Sequence, residues 1–155
     1  MAIYWFTGQP GHGKTVLADK LQEFLSSYKG ISTFRVDGDD LRALTVNKDY
    51  SKEGRLKNVK SAQDIALFLH NKGHHVTVSL VSPYRDQREE FKKLVGADLM
   101  EFYVHTTEIR GREQFHVEDY EPPLENFYDV DTTDKSPLNS LLWIVEHLHF
   151  LNKLP

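Results

Sequence analysis

Near its N-terminus the chain carries Gly8-Gln-Pro-Gly-His-Gly-Lys-Thr15, which matches the pattern G-x-x-x-x-G-K-[ST] in full. The glycines allow the backbone to curl so that successive N–H groups point toward phosphate oxygens. A helix predicted to begin near Lys14 adds the positive end of its dipole at the same place. The motif therefore predicts a loop that holds a nucleoside triphosphate.

The loop lies between a strand and a helix, which is the context that such a motif requires. The apolar run Ala2-Ile-Tyr-Trp-Phe-Thr7 predicts a buried first strand. The apolar spacing from Lys14 to about Tyr28 predicts a helix that ends at Gly30. This context disfavours the alternative of a glycine-rich turn without a ligand. The residues expected to contact the nucleotide are Gly8, Gly11, His12, Gly13, Lys14, Thr15 and Val16.

Two side chains of the loop have specific expected roles. Lys14 is expected to reach the β- and γ-phosphates, and the Thr15 hydroxyl is expected to coordinate Mg²⁺. His12 occupies a variable position of the pattern, where it is a spacer or a contact to phosphate or substrate. The expected cofactors are ATP and Mg²⁺.

The rest of the chain alternates apolar strands with longer amphipathic stretches. Because such units build parallel sheets covered on both faces, we predict one α/β domain over residues 1–155, with the P-loop NTPase fold and a five-stranded parallel sheet. Ligands bind such sheets at the carboxyl ends of the strands. The further strands are predicted at Thr33–Val36, Val76–Val81, Leu99–Val104 and Phe127–Val130, and the further helices at Lys52–Asn71, Arg85–Leu94, near Glu108–Gln114 and from Ser136 onward.

Composition limits the classes of protein that fit. A formal charge of −4 over 155 residues disfavours stable nucleic-acid binding, because counterion release needs a clustered positive surface. The chain has no cysteine, so it holds no disulfide or thiolate metal site. No apolar run reaches the roughly 18 residues that cross a bilayer, and there is no room for a signal peptide before the loop. We expect a cytoplasmic protein.

A second cluster of charged residues, Asp37-Gly-Asp-Asp-Leu-Arg42, follows the second strand. An in-line phosphoryl transfer needs a carboxylate near the attacking hydroxyl and a cation that screens the phosphoryl oxygens. Asp39 and Arg42 supply both from one helical turn, and Asp37 could order Mg²⁺ through water. The alternative is a helix cap with Asp39 or Asp40 as the N-cap. Next to a phosphate loop, the catalytic interpretation is favoured.

These motifs together resemble the adenylylsulfate kinase family, whose members phosphorylate adenylyl sulfate on its 3′-hydroxyl. The family carries D-G-D-N-x-R where this chain has Asp37–Arg42, and I-S-P-Y-R where it has Val81-Ser-Pro-Tyr-Arg85. Its F-S-x-x-D-R-x-x-N-I-R is matched loosely by Tyr50–Lys60. The shared order covers roughly the first two thirds of the chain, which unrelated turns would not produce.

The resemblance implies roles for individual residues and a hydroxyl of a small nucleotide as acceptor. Asp39 corresponds to the general base, with Asp37 beside it on the Mg²⁺ side, and Lys14 and Arg42 complete the catalytic set. Tyr50 replaces a phenylalanine that stacks on the substrate's base. The family often dimerises, which leaves a homodimer open. The remaining residues expected to bind substrate are Arg55, Asn58, Val81, Ser82, Pro83, Tyr84 and Arg85.

The chain departs from the family between its fourth and fifth strands. The family has a mobile lid of about 25 residues there, whereas this chain has a shortened segment at about 108–123. The lysine and the aromatic residue that clamp adenylyl sulfate are expected to have no counterpart, and Arg110 or Arg112 is left to cover ATP. Two alternatives stay open: a kinase of another nucleotide or nucleoside derivative, and a nucleotide-binding switch protein that is not a kinase.

Overall fold

The computed structural model describes residues 1–155 and contains one sheet of five strands. The strands are β1 Ile3–Thr7, β2 Thr33–Asp37, β3 His75–Ser79, β4 Leu99–His105 and β5 Tyr128–Asp131. Their spatial order is β2-β3-β1-β4-β5, and every neighbouring pair is parallel. The predicted sheet is confirmed. β1 lies at its centre, so the phosphate loop emerges from the middle of the carboxyl edge.

Four of the five α-helices lie in the connections between β1 and β4, and the fifth follows β5; two single 3₁₀ turns lie at Gly96–Asp98 and Glu113–Phe115. None of the helices combines the length and the apolar character that a membrane span requires. The α-helices are α1 Lys14–Lys29, α2 Gly38–Thr45, α3 Lys52–Asn71, α4 Arg85–Val95 and α5 Pro137–Phe150.

Alternation along β1 divides the core into two clusters. Tyr4 and Phe6 point to the face covered by α1 and α5, where Phe6 stacks on Phe102 with ring centroids 4.8 Å apart. Ile3 and Trp5 point to the face covered by α3 and α4. All four β1 side chains are buried. Both faces of the sheet are therefore packed, as a parallel sheet requires.

One expectation about the helices is wrong, and the alternative considered for the acidic turn names the wrong capping residue. The N-cap of α2 is Asp37 rather than Asp39 or Asp40, because its carboxylate accepts a hydrogen bond from the Asp39 N–H at 3.1 Å. The helix expected near Glu108–Gln114 is absent. Gly111 has a φ of 80°, and the Arg110 N–H donates to the Glu113 carboxylate instead of a helical carbonyl. A local side-chain bond thus replaces the helical pattern.

A buried carboxylate joins α4 to the sheet. Glu101 on β4 is only 1% exposed, and it accepts hydrogen bonds from Arg88 Nε at 2.8 Å and from Lys92 Nζ at 2.7 Å. Arg88 is itself buried and also donates to the carbonyl oxygens of Ser82 and Glu121. The network therefore ties the loop after β3 to the segment that precedes β5.

Substituting Glu101→Ala should destabilise the fold strongly, because it leaves the buried Arg88 guanidinium with no carboxylate, while Lys92 keeps only its ion pair with Glu89. We expect a loss of about 3–5 kcal/mol in the free energy of unfolding. As a control, Asp64→Ala removes the partner of Lys60 in an exposed ion pair and should cost less than about 1 kcal/mol. Urea denaturation measures both; equal losses in the two variants would contradict this account of the network.

Candidate active site

The phosphate loop can exist only with glycine at its first position. Gly8 has a φ of 152°, and a Cβ built there would lie 2.1 Å from the carbonyl oxygen of Val104. Gly13 has a φ of 102° and is the N-cap of α1. A left-handed residue at that point turns the chain directly into the helix, so the first amides of α1 face the loop. This is the geometry of an anion-binding helix N-terminus.

Lys14 is buried inside this loop. Its Nζ donates to the carbonyl oxygen of Gln9 at 2.8 Å. Burial lowers the pKa of Lys14 to about 8, although the carboxylates of Asp37 and Asp39 act in the opposite direction. A cation that is poorly solvated and held by one carbonyl is readily drawn to a triphosphate.

Asp37 joins the phosphate loop to β2 and β3. Its Oδ1 accepts hydrogen bonds from Ser79 Oγ at 2.6 Å, Thr15 Oγ1 at 3.2 Å and Arg35 Nη2 at 3.3 Å. Burial alone would raise the pKa of Asp37, but the hydrogen bonds from Ser79 and from the Asp39 N–H, with the Arg35 charge, outweigh it and hold that pKa below its usual value. The adjoining hydroxyl and ionised carboxylate fit a magnesium ion, which binds oxygen donors together with nucleotide phosphates.

A cavity of about 610 Å³ extends from the phosphate loop across the carboxyl edge of the sheet. It brings together most of the residues that the sequence analysis singled out, from both sides of the expected reaction. The predicted residues that line it are Gly11, Lys14, Thr15, Asp37, Asp39, Arg42, Tyr50, Arg55, Asn58, Val81, Ser82 and Pro83.

Asp39 and Asn58 present free oxygens at this cavity. Asp39 is the second residue of α2 and is exposed, and its carboxylate makes no ion pair within the chain. Asn58 is buried and donates weakly to the carbonyl oxygen of Gly38 at 3.4 Å, while its Oδ1 has no partner. An unpaired buried acceptor is costly unless a ligand or water completes it.

The outer end of the cavity has an aromatic and cationic wall. The guanidinium carbon of Arg42 lies 4.1 Å from the ring centroid of Tyr50, and Arg42 also donates to the carbonyl oxygens of Asn47 and Asp49. Tyr50 is 63% exposed. Because Arg42 covers part of the ring, the rest of the Tyr50 ring is available to stack on a planar ligand.

The hydroxyl of Ser82 forms hydrogen bonds within the protein and is not free to bond a ligand in the cavity. It accepts a hydrogen bond from Trp5 Nε1 at 3.1 Å and bonds Thr7 Oγ1 at 3.0 Å, and Ser82 is buried with a φ of 39°. Ser82 therefore contributes backbone to the cavity. Tyr84 and Arg85 do not line it, since Tyr84 is buried and Arg85 Nε donates to the carbonyl oxygen of Pro122.

The remaining residues expected to bind nucleotide do not line this cavity. Arg110 donates to the carbonyl oxygens of His12 at 3.3 Å and Thr132 at 3.0 Å. His12 is buried, and burial, together with the positive charges of its neighbours, lowers its pKa to about 4. Val16 is 45% exposed. Arg110 thus spans the phosphate loop and the loop after β5.

Sequence reasoning missed part of the opposite wall. Residues 112–117 reach the cavity from the shortened segment, although no counterpart of the clamping cation and aromatic residue was expected there. The guanidinium of Arg112 lies over the ring of Phe115, 5.5 Å from its centroid. The only available signal was an arginine and an aromatic residue in the shortened segment. The cavity-lining side chains of this wall are Arg112, Gln114, Phe115, His116 and Val117.

The sequence matches a known protein family, and the arrangement of phosphate loop, acidic turn and cavity agrees with that match. The model of the family described as adenylylsulphate kinase matches residues 1–139. The chain belongs to this family. Family members are ATP-binding phosphotransferases with a hydroxyl acceptor, so the kinase prediction is confirmed, and the assignment supports ATP-dependent phosphorylation of adenylyl sulfate.

Individual relatives show the extent of the similarity. The adenylyl-sulfate kinase of Clostridium kluyveri is 29% identical over 142 residues, which cover 88% of this chain and 71% of the relative. The Mycobacterium tuberculosis APS kinase CysC, solved with AMPPNP and APS, superposes with a TM-score of 0.79 at 23% identity, covering 96% of this chain and 97% of that one. A hexameric APS kinase from Thiobacillus denitrificans gives a TM-score of 0.79 at 25% identity, covering 99% of this chain and 29% of the other. The predicted P-loop fold is confirmed.

Nucleotide affinity should fall as the pH rises above 8. The free site has a Lys14 pKa of about 8, and a bound triphosphate raises that pKa, so binding at higher pH takes up a proton. Between pH 8 and pH 9.5 the affinity for ATP should drop by about tenfold per unit, as measured by calorimetry in buffers of different ionisation enthalpy. In Lys14→Arg, whose guanidinium stays charged, the profile should be flat. A flat profile in the wild type would contradict this assignment.

Proposed function

We propose that this chain transfers the γ-phosphate of ATP to the 3′-hydroxyl of adenylyl sulfate, giving 3′-phosphoadenylyl sulfate and ADP. One observation carries the proposal. A single cavity contains the phosphate-loop residues Lys14 and Thr15 and the free carboxylate of Asp39, and its walls carry three arginines and two aromatic rings, namely Arg42, Arg55, Arg112, Tyr50 and Phe115. The positions proposed for donor phosphate, base and acceptor therefore share one space.

Asp39 is the base in this proposal. As the acceptor oxygen bonds to the γ-phosphorus, the bond from phosphorus to the ADP oxygen breaks and the hydroxyl proton passes to the Asp39 carboxylate. Lys14 holds the β- and γ-phosphates, and Arg42 screens charge on the transferred group. What supports the assignment is that Asp39 lines the cavity and carries no competing ion pair.

The Thr15 hydroxyl and Asp37 would hold Mg²⁺, with Asp37 acting through water. When bound, the ion neutralises charge on the β- and γ-phosphates. The support is chemical: Thr15 Oγ1 and Asp37 Oδ1 are 3.2 Å apart, and the pKa of Asp37 is held low, so this carboxylate stays ionised. Arg110 is proposed to cover the nucleotide from outside the loop, beside Gly13.

The acceptor end suits a flat base attached to anionic groups. The exposed part of Tyr50 offers a stacking surface, and Phe115 lines the same cavity. Arg55, Arg42 and Arg112 offer cations for the phosphate and sulfate. We propose that Asn58 Oδ1 accepts from the ribose or base. In this proposal Tyr84 and Arg85 support the loop after β3 from outside the cavity and do not contact the substrate directly.

A second candidate is a kinase for another nucleotide or nucleoside derivative. It is favoured by the shortened segment at 108–123, which replaces a longer lid with the short wall at residues 112–117. In both cases the same base and phosphate loop act, and only the acceptor differs.

Asp39→Asn should reduce phosphoryl transfer by about 10²–10⁴-fold while ATP still binds. The matched control is Asp40→Asn, which changes the neighbouring exposed carboxylate outside the cavity and should stay near wild type. Lys14→Ala should abolish nucleotide-dependent turnover. The measurement is ADP release with and without adenylyl sulfate. Near-normal transfer by Asp39→Asn would exclude it as the base, whereas ADP release that ignores every acceptor would indicate a switch protein.

We further propose that the chain forms a homodimer, as the family often does. Exposed apolar side chains on α5, namely Leu138, Leu142 and Phe150, would be covered in such an assembly. Sedimentation at micromolar concentration should give twice the 18.0 kDa mass of the chain. A single species at the chain mass would contradict the proposal.

A further inference from the structure

One wall of the acceptor cavity, residues 112–117, is attached to the phosphate loop by a side chain that the motif leaves unspecified. The amide of Gln9 donates from Nε2 to the carbonyl oxygen of Val117 at 2.8 Å. Its Oε1 accepts from the Val117 N–H, also at 2.8 Å. Both groups of one amide thus pair with one backbone residue, much as neighbouring strands exchange two bonds.

Two further residues of the loop contact the same wall. The rings of His12 and His116 pack edge to face with centroids 5.0 Å apart. A Cβ on Gly11 would lie 3.0 Å from the Cβ of Arg112. Gln9, Gly11 and His12 occupy positions that the phosphate-loop pattern leaves free, and together they form the surface on which residues 112–117 pack. Of these three residues, Gln9 provides the hydrogen bonds.

Gln9 provides the only hydrogen bonds that join this wall to a distant part of the chain. All other hydrogen bonds of residues 112–117 have partners between positions 110 and 120, such as the bond from the His116 N–H to the Glu113 carbonyl oxygen. A short segment that is bonded mainly to itself opens at low free-energy cost unless something anchors it. The anchor here is the pair of bonds at Val117, a residue that is buried.

We propose that Gln9 is a positioning residue for phosphoryl transfer. It acts through residues 112–117 and fixes where Arg112 and Phe115 meet the acceptor, while its own side chain touches no reacting atom. Because residues 112–117 pack on the loop that holds the triphosphate, the donor and acceptor sites keep a fixed position relative to each other. This inference rests on the proposed function, in that the cavity must be the acceptor site.

The test is Gln9→Met, which keeps the side-chain length and removes both hydrogen-bonding groups. Hydrogen exchange of the Val117 amide should accelerate by about tenfold or more, and the KM for adenylyl sulfate should rise by about tenfold, as expected for two lost neutral hydrogen bonds. The KM for ATP should change much less, because Lys14 bonds the Gln9 backbone oxygen, which the substitution keeps. Gln9→Glu, which keeps the acceptor for the Val117 N–H, should recover part of the protection.

The matched control is Gln22→Met. Gln22 is also half-buried, and its amide donates to the Thr33 carbonyl oxygen at 2.8 Å, away from the cavity. This variant should change neither Val117 exchange nor the KM for adenylyl sulfate.

Three results would overturn the proposal: unchanged Val117 exchange in Gln9→Met, faster exchange without a rise in the KM for adenylyl sulfate, or an equal rise in the KM for ATP. If wild-type protein shows no turnover of adenylyl sulfate, the proposed function fails. The exchange experiment still tests the anchor, and binding of adenylyl sulfate by calorimetry then replaces KM as the test of the wall.

Discussion

The site depends on one close approach, between the α-carbon of Gly8 and the carbonyl oxygen of Val104. A side chain at position 8 would need the space that this oxygen occupies, since a Cβ would lie 2.1 Å from it. The contact joins the end of the central strand to its neighbour β4, so the loop leaves the sheet at a fixed angle. Lys14 and the N-terminus of α1 are oriented by that exit, and a phosphate group would meet them there.

Asp37 links the phosphate loop to the helix that carries Asp39, the proposed base for the acceptor hydroxyl. The same carboxylate caps α2 through the Asp39 N–H and accepts from Thr15 and Ser79, so one residue sets the positions of a loop hydroxyl and a helix start. Asp39 is therefore carried on a helix whose beginning is bonded to the phosphate loop. Precision of this kind is what in-line transfer requires, because small displacements of a base or phosphate lower the rate steeply.

The features that the sequence could predict are those with a strong local cause. The β-branched run through Val76 and Val78 and the motif at Gly8–Thr15 determine the sheet and the loop almost independently of the rest of the chain. Residues 112–117 could not be placed in this way. Their position depends on Gln9, which precedes them by more than a hundred residues in sequence, and Gly111 interrupts the helix expected there. The sequence pointed to Ser82, but it did not reveal that the Ser82 hydroxyl is hydrogen-bonded to Trp5 and Thr7, because such long-range pairing leaves no local pattern.

The most direct test is a crystal structure with a non-hydrolysable ATP analogue and adenylyl sulfate bound together. We expect the triphosphate within residues 8–15, with Lys14 Nζ moved from the Gln9 carbonyl oxygen to the phosphates. The 3′-hydroxyl should lie within hydrogen-bonding distance of the Asp39 carboxylate. A triphosphate bound outside the loop, or an Asp39 side chain directed away from the acceptor, would contradict the account.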